Sequence, residues 1–357
     1  MQQDPDLIAR SVEELVGDLN PQQAEAVQYR GLALLIGAGA GSGKTRVLTR
    51  RIAWILTQFG AWPSQILAIT FTNKAAAEMR ERLEGLIGPV AQRMWVSTFH
   101  SMCVRMLRAD AERLGFTKNF TIYDTDDLKR LYKDIMAELN IDPKRFPVNQ
   151  LMNRISQAKN DLVTPGNFDA HDPVGKVAER VYERLPERLR AFDFDDLLLY
   201  GYLLLKNHAD VREAYQDRFR YLMVDEYQDT NRAQYAITQL LAAKRRNIMV
   251  VGDDDQSIYS WRGADLRNIL VPRREYQKYF KLRGDVPGGE GDQAGAELPQ
   301  RGQYLGGGQR RHREQPAPQG EAPVHGLGRR GEDLGVSGHR RARRGPLDRR
   351  GDRPAPQ

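Results

Sequence analysis

AGAGSGKT, residues 38–45, stands between the apolar run LALLI (32–36) and the segment KTRVLTRRIAWIL (44–56). The apolar positions of the second segment recur at helical spacing. A strand that runs into a glycine-rich turn and then a helix is the setting in which a chain cradles phosphate. Glycine at 39, 41 and 43 lets backbone N–H groups approach phosphate oxygens with no Cβ in the way, and the helix N-terminus adds its positive end. In such a loop Lys44 reaches the β- and γ-phosphates and the Thr45 hydroxyl ligates Mg²⁺. The strict pattern begins with glycine, where this chain has Ala38. The candidate nucleotide-binding set is Ala38, Gly39, Ala40, Gly41, Ser42, Gly43, Lys44 and Thr45. The alternative is a glycine-rich turn that binds nothing.

Outward from the loop, strand and helix patterns alternate. ILAIT (66–70) precedes NKAAAEMRERLEGLI (73–87), and MWVST (94–98) precedes FHSMCVRMLRADAERL (99–114). The alternation predicts an α/β domain built on a parallel sheet. YLMVDE (221–226) and NIMVVGD (247–253) resume the pattern, as apolar runs ending in acids. Buried parallel strands that end at a site read this way.

VDEYQD (224–229) supplies a carboxylate pair at a strand end. One acid suits a metal shell and the other suits a water, so Asp225 is assigned to Mg²⁺ and Glu226 to orienting or deprotonating the attacking water. Taken alone, such a pair is usually a solvated strand end; beside a phosphate loop it gains a role. In VVGDDDQSIYSWRGA (250–264), Gln256 follows a strand, where an amide can contact a γ-phosphate or the water. Tyr259 and Trp261 alternate beside Arg262, which suits stacking on unpaired bases. For Trp261 a buried core position is the competing reading.

The bulk composition sets limits. The 357 residues hold 40% hydrophobic residues and a net charge of +7, enough for real cores and compatible with a polyanionic partner. One cysteine, Cys103, excludes an internal disulfide framework and fits a reducing compartment. The N-terminus lacks the apolar segment of a signal peptide, and no apolar run approaches the roughly 18 residues that span a membrane. A cytoplasmic protein without membrane contact is expected.

Residues 116–190 change character. DTDDLKRLYKDIMAELN places Leu128, Leu131, Tyr132, Ile135, Met136 and Leu139 on one face, with Asp124 or Thr125 as the cap. Prolines at 143, 147, 165 and 173 mark the joins of further helices. This segment reads as a helical insertion. After about residue 283, Lys, Phe, Ile and Asn vanish and Gly, Arg, Pro, Gln and Ala dominate, so residues 284–357 are expected to be a disordered tail.

In their order the motifs LNPQQAEAV, AGAGSGKT, AITFTNKAAAEMRERL, VSTFHS, FDFDDLL, VDEYQDTN and VVGDDDQSIYSWRGA resemble the superfamily 1 DNA helicases of the UvrD/PcrA/Rep type, over about residues 15–270. The resemblance implies a RecA-like ATPase subdomain, 1A, from residues 1–115 and 191–280, with residues 116–190 as the inserted subdomain 1B. It implies that Gln23 reads the adenine of ATP, and that Thr70, Phe71, Thr72, Asn73 and Lys74 contact single-stranded DNA. His100 would also lie near DNA, although a lone histidine is equally a structural residue. Cys103 reads as a small buried hydrophobe. Ala38 agrees with the family. Members use ATP to move 3′ to 5′ on one strand and to separate the duplex at its junction with single strand. That motion needs a second RecA-like domain, whose arginines stabilise charge on the transferring phosphoryl group.

In the family ADLRNIL is followed by a motif of the form KLEQNYRSTxNIL and a second domain, which the residues here do not spell. Back-translating residues 293–316 and moving the frame by one base permits K-L-E-Q-N-Y-R-S-x-x-N-I-L, with only the threonine after the serine excluded. Residues from about 271–285 onward are therefore expected to be an out-of-frame translation. The rival is a genuine arginine-rich tail that binds nucleic acid by charge. From Gly284 onward 13 Arg stand against 10 acids, a net of +3, which is a poor electrostatic anchor. Two functional readings follow: an ATP-driven helicase, or a fragment that binds nucleotide and single-stranded DNA without unwinding. A phosphate-loop kinase would leave the DNA-contact motifs and Gln256 unexplained.

Overall fold

The computed structural model describes residues 6–8, 10–39, 41–188, 191–253 and 278–282. All of them fall within one compact unit, Met1–Gln303. Ala40, Gln256, Tyr259, Trp261 and the tail 284–357 lie outside the described residues.

Two short helices, α1 (Val12–Val16) and α2 (Pro21–Gln28), open the chain. Each begins with a capping box, Ser11 with Glu14 and Asn20 with Gln23. The alternating part follows as β1 (Ala33–Ala38), α3 (Lys44–Gln58), β2 (Ile66–Thr70), α4 (Asn73–Ile87), β3 (Trp95–Thr98) and α5 (Phe99–Asp110). Next come β4 (Thr121–Ile122), α6 (Thr125–Glu138), α7 (Val148–Asn160), α8 (Pro173–Arg188) and β5 (Ala191–Phe192). The chain then forms α9 (Phe194–Asn207), α10 (Ala209–Arg218), β6 (Tyr221–Val224), α11 (Arg232–Ala242), β7 (Ile248–Gly252) and β8 (Lys278–Leu282).

The six long strands make one sheet in the order β3-β2-β6-β7-β1-β8, with every pairing parallel. Their carboxyl ends therefore share one edge. Helices cover both faces, which is why β1, β2 and β7 are buried along their whole length. Successive residues divide between the faces. Leu35, Ile69, Val224 and Val250 pack with α5, α9 and α11, whereas Ile36, Ala68, Met223 and Val251 pack with α3 and α4.

The fold is α/β, as the alternation predicts. Between β4 and β5, α6, α7 and α8 enclose a third apolar core of their own around Tyr132, Ile135, Leu151, Ile155, Val181 and Leu185. Asp124 caps α6 by accepting from the N–H groups of Asp126 and Asp127. β4 and β5 pair with each other, Thr121 opposite Ala191, so the chain leaves for the helical segment and returns from it at one point. Lys159 of α7 is fully buried there, with its ammonium 2.5 Å from Asp193 and 2.7 Å from Asp196. Burial works against its charge, but the two carboxylates prevail and hold its pKa above the ordinary lysine value. Cys103 is buried, and burial alone pushes its thiol up to about 12, so it behaves as a small apolar side chain. Among the described residues no helix is long and apolar enough to cross a membrane.

Candidate nucleotide and DNA site

The sheet order places β7 between β1 and β6, so three strand ends converge: the glycine loop after β1, Asp225–Glu226 after β6 and Asp253 after β7. Gly43, the residue before α3, has φ +81°, and Gly41 has φ +72°. Side chains are disfavoured at both positions. A Cβ at Gly39 or Gly41 would meet nothing within 4 Å, so the loop wraps open space rather than packing against protein. That space suits a phosphate group ringed by backbone N–H donors. Ser42 holds the loop's shape, donating from both its hydroxyl and its backbone N–H to the Gly39 carbonyl.

Lys44 is the first residue of α3, and its ammonium lies 3.2 Å from Glu226 Oε2 and 3.9 Å from Asp253 Oδ2. Gln228 links the same strands. Its amide donates to Glu226 at 2.8 Å, and its carbonyl oxygen accepts from the Asp253 N–H at 2.9 Å. Glu226 sits at φ 48°, in the left-handed region, where a side-chain-bearing residue costs about 1–2 kcal/mol. Backbone strain of this kind collects at functional sites. Asp225, anchored through its N–H to the Ile69 carbonyl, is buried. Burial first, and then the charge of Glu226, pushes its pKa up to about 6. Asp229 is pushed to about 6 by the same two causes.

Thr45, Asp225 and Glu226 line one open cleft of about 360 Å³ together with Thr70, Phe71 and Thr72. Thr45 and Asp225 fit a hard cation: both are oxygen donors, and Mg²⁺ bound with phosphate takes few protein ligands. Among the described residues there is no group of three or more His, Cys, Asp or Glu placed to hold a metal ion. Gln23 lies under the loop, with its amide donating to the Ser42 carbonyl at 2.9 Å and its oxygen accepting from the Asn20 N–H. One amide hydrogen and one lone pair remain for another partner.

The other expected contacts lie at the carboxyl ends of β2 and β3. Thr72 and Thr98 cap α4 and α5, and Asn73 sits 3.4 Å from the Thr98 and Ser101 hydroxyls. These adjacent helix N-termini present backbone donors to one surface. Thr70 is buried, with its hydroxyl turned back to the Thr72 carbonyl. Lys74 is largely exposed and 3.9 Å from Glu78. His100 packs against Phe194, with ring centroids 4.5 Å apart and the planes tilted by 36°. Phe194 is 59% exposed, the most exposed large hydrophobic residue among those described.

Gln228, Asp253, Phe194 and Arg82, which also lines the cleft, carry no role in the sequence reading. For Asp253 the signal was available, since it ends an apolar strand as Asp225 does. Phe194 lies within FDFDDLL, as the first residue of α9 after the Asp193 cap, and no local pattern there shows that its ring is exposed.

A family model of the UvrD/REP helicase N-terminal domain matches residues 19–277. The chain is 49% identical over 267 residues to the ATP-dependent DNA helicase PcrA of Staphylococcus aureus strain Mu50, which covers 73% of this chain and 37% of that protein. Against the ATP-dependent DNA helicase PcrA of Staphylococcus epidermidis strain ATCC 12228 the identity is 51% with the same coverage. The chain thus spans about a third of the length of these relatives. On the family match over residues 19–277, the chain belongs to the UvrD/REP helicase N-terminal domain family.

Proposed function

We propose that this chain forms the nucleotide- and single-stranded-DNA-binding part of an ATP-dependent 3′–5′ DNA helicase acting at junctions between duplex and single strand. The supporting observation is the shared cleft, in which Asp225 and Glu226, the latter opposite Lys44, adjoin Thr70–Thr72 at the start of α4. In this reading residues 1–115 and 191–280 make the ATPase subdomain 1A and residues 116–190 the inserted 1B. The curated relatives named above are ATP-dependent DNA helicases, which agrees with ATP as the nucleotide.

Lys44 exchanges Glu226 for the β- and γ-phosphates as nucleotide enters, and the loop N–H groups surround the phosphate oxygens. Mg²⁺ held by Thr45 and Asp225 would neutralise charge between the phosphates. Glu226, released from Lys44 but still held by Gln228, accepts a proton from the attacking water. Gln23 uses its remaining amide hydrogen and lone pair on the adenine edge. Gln256 would watch the γ-phosphate. Thr72, Asn73, Lys74 and His100 contact the DNA backbone, and Phe194 stacks on a base, as Tyr259 and Trp261 would.

The test is equilibrium binding of ATP with Mg²⁺ and of oligo-dT to the 357-residue chain, beside Lys44→Ala. ATP binding that Lys44→Ala weakens, together with oligo-dT binding, is the expected result. A chain that binds neither ATP nor oligo-dT overturns the reading.

A further inference from the structure

A directional chain of side-chain hydrogen bonds runs from the exposed aromatic at the start of α9 to the acid turn after β6. Asp195, the residue after Phe194, accepts from the Asn160 amide at 2.9 Å. The Asn160 oxygen in turn accepts from the Asn231 amide at 2.6 Å. Asn231 caps α11, its oxygen accepting from the Gln234 N–H at 2.9 Å. The turn Tyr227–Asp229 lies one residue before it, closed by the Thr230 hydroxyl donating to the Tyr227 carbonyl.

Chemistry fixes the direction of every link. A carboxylate only accepts, and the Asn160 amide also donates to the Ser156 carbonyl, so the Asn160 oxygen must face Asn231. The oxygen of Asn231 is taken by the cap, so its amide must face Asn160. Hydrogen bonds aligned in series polarise one another.

These links are not needed to hold α7 in place. Lys159, one residue earlier, already does so through its buried pairing with Asp193 and Asp196. Asn160 and Asp195 lie at the half-buried rim of that anchor. What the two asparagines add is a connection between α9, which carries Phe194, and the segment that carries Glu226.

We propose that Asn160 and Asn231 are positioning residues that couple DNA on the Phe194 surface to nucleotide at Lys44 and Glu226. This rests on the proposed reading of those two surfaces. DNA that fixes the first turn of α9 fixes Asp195, and through the two amides it fixes the cap that follows the acid turn. By linkage, nucleotide held at the acid turn tightens DNA by the same factor.

The experiment measures coupling rather than turnover. Binding of a fluorescent non-hydrolysable ATP analogue with Mg²⁺ to the full chain is titrated with and without oligo-dT, and the reciprocal titration is run. Wild type is expected to show a change of about 5-fold or more in each direction. Asn231→Ser keeps a side-chain cap for α11 but cannot reach Asn160. Asn160→Ala breaks the chain from the other side.

In both variants each ligand is expected to bind alone as in wild type while the mutual effect disappears, and the double variant is expected to be no worse than either single one. Melting curves confirm that both variants fold. Coupling that survives in both, or wild type that binds both ligands independently, overturns the relay and leaves the proposed function standing. Wild type that binds neither ligand overturns the proposed function and the relay with it.

Discussion

Lys44 and Glu226 are 182 residues apart in sequence, yet the lysine ammonium lies 3.2 Å from the glutamate carboxylate. The pair is partly exposed, with side-chain exposures of 12% and 37%, so its own contribution to stability is small. Its significance is positional. It sets the lysine of the glycine loop against the glutamate of the acid turn, with Asp253 as a second carboxylate 3.9 Å from the same ammonium.

Glu226→Gln separates binding from hydrolysis. The amide retains the size of the side chain but cannot take a proton from water. ATP affinity is expected to stay near wild type while the hydrolysis rate falls by roughly 100-fold or more. Equilibrium nucleotide binding beside steady-state turnover checks this. A variant that loses binding and turnover together would show that Glu226 shapes the loop instead.

Phe194→Ala is expected to weaken oligo-dT binding by about 1–3 kcal/mol, the range for loss of one stacked base. His100→Ala should have a smaller effect, since the imidazole is packed against the Phe194 ring at 4.5 Å and offers less face to a base. Because stacking displaces few counterions, the salt dependence of binding should keep its slope in Phe194→Ala. Fluorescence anisotropy over a salt series measures both quantities.

Lys159→Ala leaves two buried carboxylates without their cation, which is expected to cost about 3–5 kcal/mol. Urea denaturation measures the loss. Lys74→Ala, at an 88% exposed side chain, serves as the control and should shift stability by no more than about 0.5 kcal/mol.

Asp196 carries a pH signature. Burial raises its carboxyl above the ordinary aspartate value despite the opposing pull of Lys159. An unfolded aspartate titrates at about 3.9, so above that value the folded chain binds more protons than the unfolded one until the raised carboxyl ionises. The stability that this proton confers is therefore complete below about pH 4 and is lost as pH rises through the raised value of the folded carboxyl. Asp196→Asn, which cannot lose that proton, should gain on wild type across the window, by at most about 1.4 kcal/mol per pH unit. Denaturation midpoints at pH 5, 6, 7 and 8 test the sign.

Much of this molecule could be read before its fold was known. AGAGSGKT between an apolar strand and a helix predicted the loop, and the alternation around it predicted the parallel sheet. Both signals are local: glycine acts through backbone freedom, and periodicity through burial of one face. The acids after β6 were legible for the same reason, since an apolar run that ends in carboxylates marks a buried strand reaching solvent. Capping residues were also partly legible, as Asp124 at the start of α6 shows.

The partnerships were not. That Lys44 faces Asp253 as well as Glu226 follows from β7 lying between β1 and β6, a strand order no local pattern contains. That Lys159 meets Asp193 and Asp196 requires α7 to dock on α9, and that Asn231 meets Asn160 requires α11 to approach them both. The sequence by itself determined the loop, the strands and the chemistry of each side chain, because these depend on residues a few positions apart. Only the tertiary structure decided which charges and amides meet, because those contacts join residues that become neighbours only when the sheet and its helices pack.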